Sequence, residues 1–133
     1  MKLTNKSEYA LLALLFLARK KTDEYVPVEL IAKEQAIPSM FLEQILLIMK
    51  RSRFVVSQKG QRGGYRLARQ PSEINLAEVI SLFEGSLAPT ESVSRYFYRS
   101  TPIEREKKAV NVLRRISDHV SEILEGTTLA DVV

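Results

Sequence analysis

Cysteine is absent from all 133 residues. Its absence excludes disulfides, thiolate metal centres, cysteine-ligated iron–sulfur clusters and a cysteine nucleophile. Histidine occurs once, as His119, and one imidazole cannot build a metal site. Long hydrophobic runs are also missing. The most apolar stretch, Tyr9–Ala18, reaches half of the ~20 residues that span a bilayer. No strong basic run precedes it and no small-residue cleavage site follows, so a signal peptide is not expected. No nucleophile–base pair, metal cluster or phosphate-binding loop is legible, which argues against an enzyme. The chain therefore reads as soluble, cytoplasmic, non-enzymatic and without a cofactor.

What is present is a core-forming sequence with uneven charge. Apolar residues make up 45% of the chain, enough for one compact domain with an appended element. Residues 1–69 carry 13 Lys/Arg against 6 Asp/Glu, whereas residues 70–133 carry 7 against 10. Between Lys50 and Arg69 stand Lys50, Arg51, Arg53, Lys59, Arg62, Arg66 and Arg69, with no acidic residue among them. Such a run points to a polyanion, although a solvated basic face would look the same.

Periodicity places a first helix from Asn5, capped by Asn5-x-x-Glu8, to about Lys21, buried on most sides. A short helix follows over Val28–Gln35 and stops before Pro38. A third helix runs from Ser39 to about Arg51. At about 100° per residue, Phe41, Leu42, Ile45, Leu46, Ile48 and Met49 fall on one side. Ser39, Met40, Glu43, Gln44, Leu47, Lys50 and Arg51 fall on the other, which carries polar types able to reach base edges or phosphates. Two strands, Phe54–Lys59 and Tyr65–Arg69, then flank the tip Gly60-Gln-Arg-Gly-Gly64, whose glycines supply positive φ. A helix–turn–helix followed by a basic hairpin is a winged arrangement. It would set the third helix in the major groove of duplex DNA and bring Lys59, Arg62, Gly63 and Gly64 to the backbone or minor groove.

The second half begins with Asn75-x-x-Glu78, a capping signature for a helix over Leu76–Glu84 that ends at Gly85. Residues 86–100 have little periodicity and read as a sensor-type connecting loop, with Leu87–Ser100 open to a small effector or a protein partner. Thr101-Pro-Ile-Glu104 announces a long helix to Glu125. Along it Ala109, Leu113, Ile116, Val120 and Ile123 recur at spacings of 4, 3, 4 and 3, the seam of a coiled coil, which predicts a homodimer, the alternative being a helix folded back on its own core. The expected architecture is mainly α with a small β-hairpin wing. Residues 1–85 form a winged helix–turn–helix, 86–100 the loop, 101–125 the dimerisation helix and 126–133 a tail. The competing function is a protein-interaction module whose basic half meets an acidic partner.

Particular motifs resemble the Rrf2 family of bacterial transcriptional regulators. They are Met1-Lys-Leu-Thr with Tyr9-Ala-Leu, Ile31-Ala-Lys-Glu, Ile37-Pro, Phe41-Leu-Glu-Gln-Ile-Leu46, Gly60-Gln-Arg-Gly-Gly-Tyr-Arg-Leu-Ala-Arg69, Ile74-Asn-Leu-Ala-Glu-Val79, Glu84-Gly85 and Thr128-Leu-Ala-Asp131. The resemblance implies a winged-helix dimer with crossed C-terminal helices, binding a near-palindromic operator on double-stranded DNA. It implies that Ser39, Met40, Glu43 and Gln44 face bases and that Arg62 inserts from the wing. One feature departs from the pattern. Cluster-binding members place three cysteines before the long helix, whereas here Ser92 stands at the first position and no thiol follows. Their iron–sulfur chemistry is therefore not expected to carry over.

Overall fold

The computed structural model describes residues 1–21 and 23–133. Helix α1 spans Asn5–Ala18, α2 Val28–Glu34 and α3 Ser39–Arg51. Strands β1 (Val55–Gln58) and β2 (Gly64–Leu67) pair antiparallel, with Val55 opposite Leu67 and Gln58 opposite Gly64. Then come α4 (Leu76–Glu84), α5 (Lys107–Glu125) and α6 (Leu129–Val132). This is the mainly helical, hairpin-bearing architecture expected.

One continuous core holds the first half together. Ala13 and Leu14 of α1, Leu42, Ile45, Leu46 and Met49 of α3, and Phe54 and Val55 at the wing base are all buried in it. The α3 stripe explains this packing, since Leu42, Ile45, Leu46 and Met49 recur at helical spacing and are turned inward. Two turns around α3 rest on residues without glycine's freedom. Ala36 (φ 53°) lies between α2 and α3, and Arg53 (φ 65°) follows the end of α3.

Several boundaries differ from expectation. The first helix stops at Ala18 rather than Lys21, and its N-cap is Thr4, not Asn5. The reason is a tertiary contact. The Thr4 N–H and hydroxyl and the Ser7 hydroxyl all donate to Glu84 at the far end of α4. The Asn75/Glu78 capping box forms as read, and Gly85 closes α4 at φ 75°. The long helix does not begin at Thr101. A 3₁₀ turn covers Pro102–Arg105, and α5 starts only at Lys107. Thr101, expected as the N-cap, makes no capping bond, and Glu104, expected at N3, accepts hydrogen bonds from Tyr98 and Ser100. These bonds hold its carboxyl below the usual glutamate range, Tyr98 contributing most.

The segment read as a tail is part of the fold. Leu129 of α6 is fully buried in the main core, and its N–H donates to the Ile74 carbonyl. The connection after Gly85 is ordered around a second, small core of Ala88, Val93 and Val110, with Ile103 and Leu113 packed against it. No helix among the described residues is long and apolar enough to cross a membrane.

Candidate nucleic-acid interface

Helix α3 has an inward and an outward face, but Phe41, expected on the core side, is 49% exposed, and Ile48 is only half-buried. While Leu42, Ile45, Leu46 and Met49 are buried, Ser39, Met40, Glu43, Gln44, Lys50 and Arg51 are all exposed. Met40, at 73%, is among the most exposed large apolar side chains. A thioether left in water beside Glu43 and Gln44 gives this face both an apolar contact and hydrogen-bonding groups. The helix starts directly after Pro38 with no side-chain cap, so its first N–H groups remain available to an acceptor such as a phosphate.

The wing is fixed to the body by backbone. The Val26 N–H donates to the Tyr65 carbonyl at 2.8 Å, and the Tyr65 N–H to the Val26 carbonyl at 2.9 Å. Gly64 makes this approach possible: a Cβ there would lie 2.0 Å from the Val26 carbonyl oxygen. A Cβ on Gly63 would lie 2.2 Å from the Gln58 oxygen. Both glycines thus have a folding duty in the hairpin, whatever else they touch. Lys59, Gln61 and Arg62 stand exposed at the tip.

The basic run is less uniform than its sequence. Arg66 lies over the Tyr25 ring, 4.9 Å from its centroid, and Arg69 lies 4.8 Å over Phe54. Arg69 also pairs with Glu78 at 3.3 Å. The stretch Lys50–Arg69 has no acid of its own, but folding brings one to it from α4. Lys50, Arg51, Arg53, Lys59 and Arg62 are left facing solvent.

On α5, Ile116 and Ile123 of the expected seam are exposed, whereas Ala109 and Val120 are half-buried. Leu113 is turned toward the second core and is also half-buried. Val112, which the 4-3 spacing passes over, is 53% exposed and shares a shallow groove with Ile116, His119 and Val120. The outward apolar face is therefore rotated toward Val112. Counting in steps of 3.6 rather than 3.5 would have found it.

The profile of the Rrf2 family, described as iron-dependent transcriptional regulators, matches residues 3–133. A Synechocystis protein provisionally named as an HTH-type transcriptional regulator is 34% identical over 131 residues, 98% of this chain and 86% of its own. The structure of CymR, the global cysteine regulator of B. subtilis, superposes with a TM-score of 0.79 at 30% identity, covering 98% of this chain and 95% of that one. IscR of T. potens gives 0.75 at 27% identity, covering 98% and 85%.

The description's iron does not suit the donors present. The chain supplies no thiolate. Ser92 is buried and accepts a hydrogen bond from the Thr101 hydroxyl at 2.6 Å. Lone His119 sits on the outward groove of α5. Among the described residues no three His, Cys, Asp or Glu side chains gather to hold a metal. These residues fit neither an iron–sulfur cluster nor a mononuclear iron site.

Proposed function

We propose, from the premise that the chain belongs to the Rrf2 family of transcriptional regulators, that it binds a specific DNA sequence and regulates transcription as a homodimer without a cluster. The observation that carries this reading is the division of α3, whose outward face presents Ser39, Met40, Glu43 and Gln44 beside a hairpin tipped by Arg62. In this reading α3 lies in the major groove with those four side chains at base edges. Glu43 accepts from cytosine N4 and repels phosphate, so it serves discrimination more than affinity. Lys50, Arg51 and Lys59 take phosphates, and Arg62 enters the minor groove from the tip, where Gly63 and Gly64 keep the backbone slim.

The α5 faces of two protomers pair through Val112, Ile116, Val120 and Ile123, with Ala109 at the edge and Leu113 bridging to the local core. A two-fold dimer reads two half-sites about 34–36 Å apart. A regulator of this kind works in the cytoplasm, where bacterial DNA is. Selection from random duplexes tests the reading. The expected product is a near-palindromic site of roughly two to two-and-a-half helical turns. Binding that follows salt but ignores sequence would overturn it.

A further inference from the structure

Between α4, α5 and the segment 94–97 lies a half-open cavity of about 400 Å³, within the size range of small-molecule sites. Its polar lining is unusual for a helix–helix junction. Ser117 and Ser121, one turn apart on α5, are 3% and 6% exposed, and Ser81 faces them from α4. The Ser117 hydroxyl makes one long bond, 3.3 Å to the Val93 carbonyl. The hydroxyls of Ser81 and Ser121 have no hydrogen-bond partner among the described residues. Neither oxygen is sealed from solvent, so each can bond a molecule that enters the cavity in place of water. Apolar surface from Leu87 and Ala77 completes the floor, and the rings of Tyr96 and Phe97 form the lip. Ser92 does not line this cavity, which is therefore distinct from the position where relatives carry their first cysteine.

The charges around it select against ions. Arg95 is the one cation among the described residues lining the cavity, and it is already engaged by Asp118 and Glu125, each at 3.6 Å. Glu78 and Glu125 also line it, already paired with Arg69 and Arg95, so each charge of the lining has its partner before a ligand enters. Glu78 further links the site to the wing. Its carboxylate accepts the Asn75 N–H at the start of α4 and pairs with Arg69, which lies over Phe54 where the hairpin leaves α3.

We propose that this cavity is an effector site for a small uncharged ring bearing an amide or hydroxyl group. The ring packs between Leu87 and the Tyr96–Phe97 lip, while the polar group bonds the hydroxyls of Ser81 and Ser121. Occupancy shifts the start of α4 and, through Glu78 and Arg69, the wing. Only this coupling step rests on the DNA-binding reading.

The test uses the intact protein and three ring compounds of similar size: neutral nicotinamide, anionic nicotinate and cationic 1-methylnicotinamide. Saturation-transfer NMR is expected to show nicotinamide binding at millimolar concentration, at least about tenfold tighter than either ion. Ser121→Leu, which fills the cavity from α5, and Ser81→Leu, which fills it from α4, should each weaken binding about tenfold or more. Melting curves identify a variant that fails to fold, and the other then decides. Equal binding of the ions, indifference to both substitutions, or no nicotinamide binding below about 10 mM overturns the site. On the selected operator, nicotinamide should change the Kd at least about threefold in the wild type and not in Glu78→Gln. No change in the wild type overturns the coupling while leaving the NMR result standing. Loss of all sequence-specific DNA binding would instead overturn the regulator reading.

Discussion

In the reading half, α1, α3 and the wing base converge on one continuous set of buried side chains that includes Leu14, Ile45, Leu46 and Phe54. After Gly85 the second core is built on Ala88, Val93 and Val110, and the next buried positions on α5 are the serines 117 and 121. The first region holds α3, the proposed recognition helix, to a fixed orientation. The second keeps partly unpaired hydroxyls, a cavity and an outward apolar face close together. Local stability follows buried apolar contact, so the segment 86–106 should open more readily than the scaffold it leans on. Such a division suits a protein whose DNA-reading surface stays constant while a neighbouring segment responds.

The largest expected effect tests that contrast directly. Leu46→Ala removes a fully buried side chain from the main core and should cost about 2–5 kcal/mol of unfolding free energy. Val93→Ala in the small core should cost about 1–2 kcal/mol, since fewer neighbours surround the void. Urea unfolding of both variants checks the order. Equal losses would mean that the second core is as cooperative as the first. Next, Ile116→Glu puts a charge on the outward face of α5 and should yield monomers by sedimentation. A variant that stays dimeric moves the interface elsewhere. Leu113→Glu is the poorer probe, because Leu113 also packs on the local core. Third, Arg62→Ala leaves both cores untouched and should weaken operator binding by about 1–3 kcal/mol. Unchanged affinity would remove the wing tip from recognition.

How far these regions were legible in the sequence follows from the range of the forces involved. The α3 face, the hairpin and the Asn75/Glu78 box are local patterns, set by helical spacing, turn glycines and a three-residue reach. The sequence could not show that Glu84 would draw Thr4 and Ser7 to it across α1 and α4, which moved the first cap. Nor could it show that Glu78 would neutralise Arg69, since the two sit on different elements. The Thr128/Asp131 capping box was visible, but only tertiary packing reveals that it delivers Leu129 to the core. Leu113 and Val112 exchanged roles for a similar reason. The seam pattern assumes one apolar face, while α5 has two, one toward its own chain and one outward.

A smaller effect is expected at the end of α3. Arg53 holds φ at 65°, a conformation that glycine adopts without a Cβ penalty. Arg53→Gly should therefore raise stability by up to about 1 kcal/mol. It should also lower DNA affinity if this exposed guanidinium reaches a phosphate. Greater stability with unchanged affinity would leave the arginine's presence in a strained turn without a DNA-binding reason.

The subtlest prediction concerns Glu84, in the last turn of α4 where the first region ends. Hydrogen bonds from Ser7 first, and then Thr4, hold its carboxyl below the usual glutamate range, against the opposing effect of burial. A folded-state pKa below the unfolded one means that the unfolded chain binds the proton more readily. The contribution to stability is therefore complete above the unfolded value and disappears as pH falls through the folded one. Unfolding measured from neutral pH downward should show the wild type losing part of its stability in the acidic range, where Glu84→Gln shows a shallower slope. The amide can still accept from Ser7, so the two proteins should converge at the acid end rather than cross. Parallel curves across the whole range would mean that these hydroxyls orient the carboxylate without favouring its charged form.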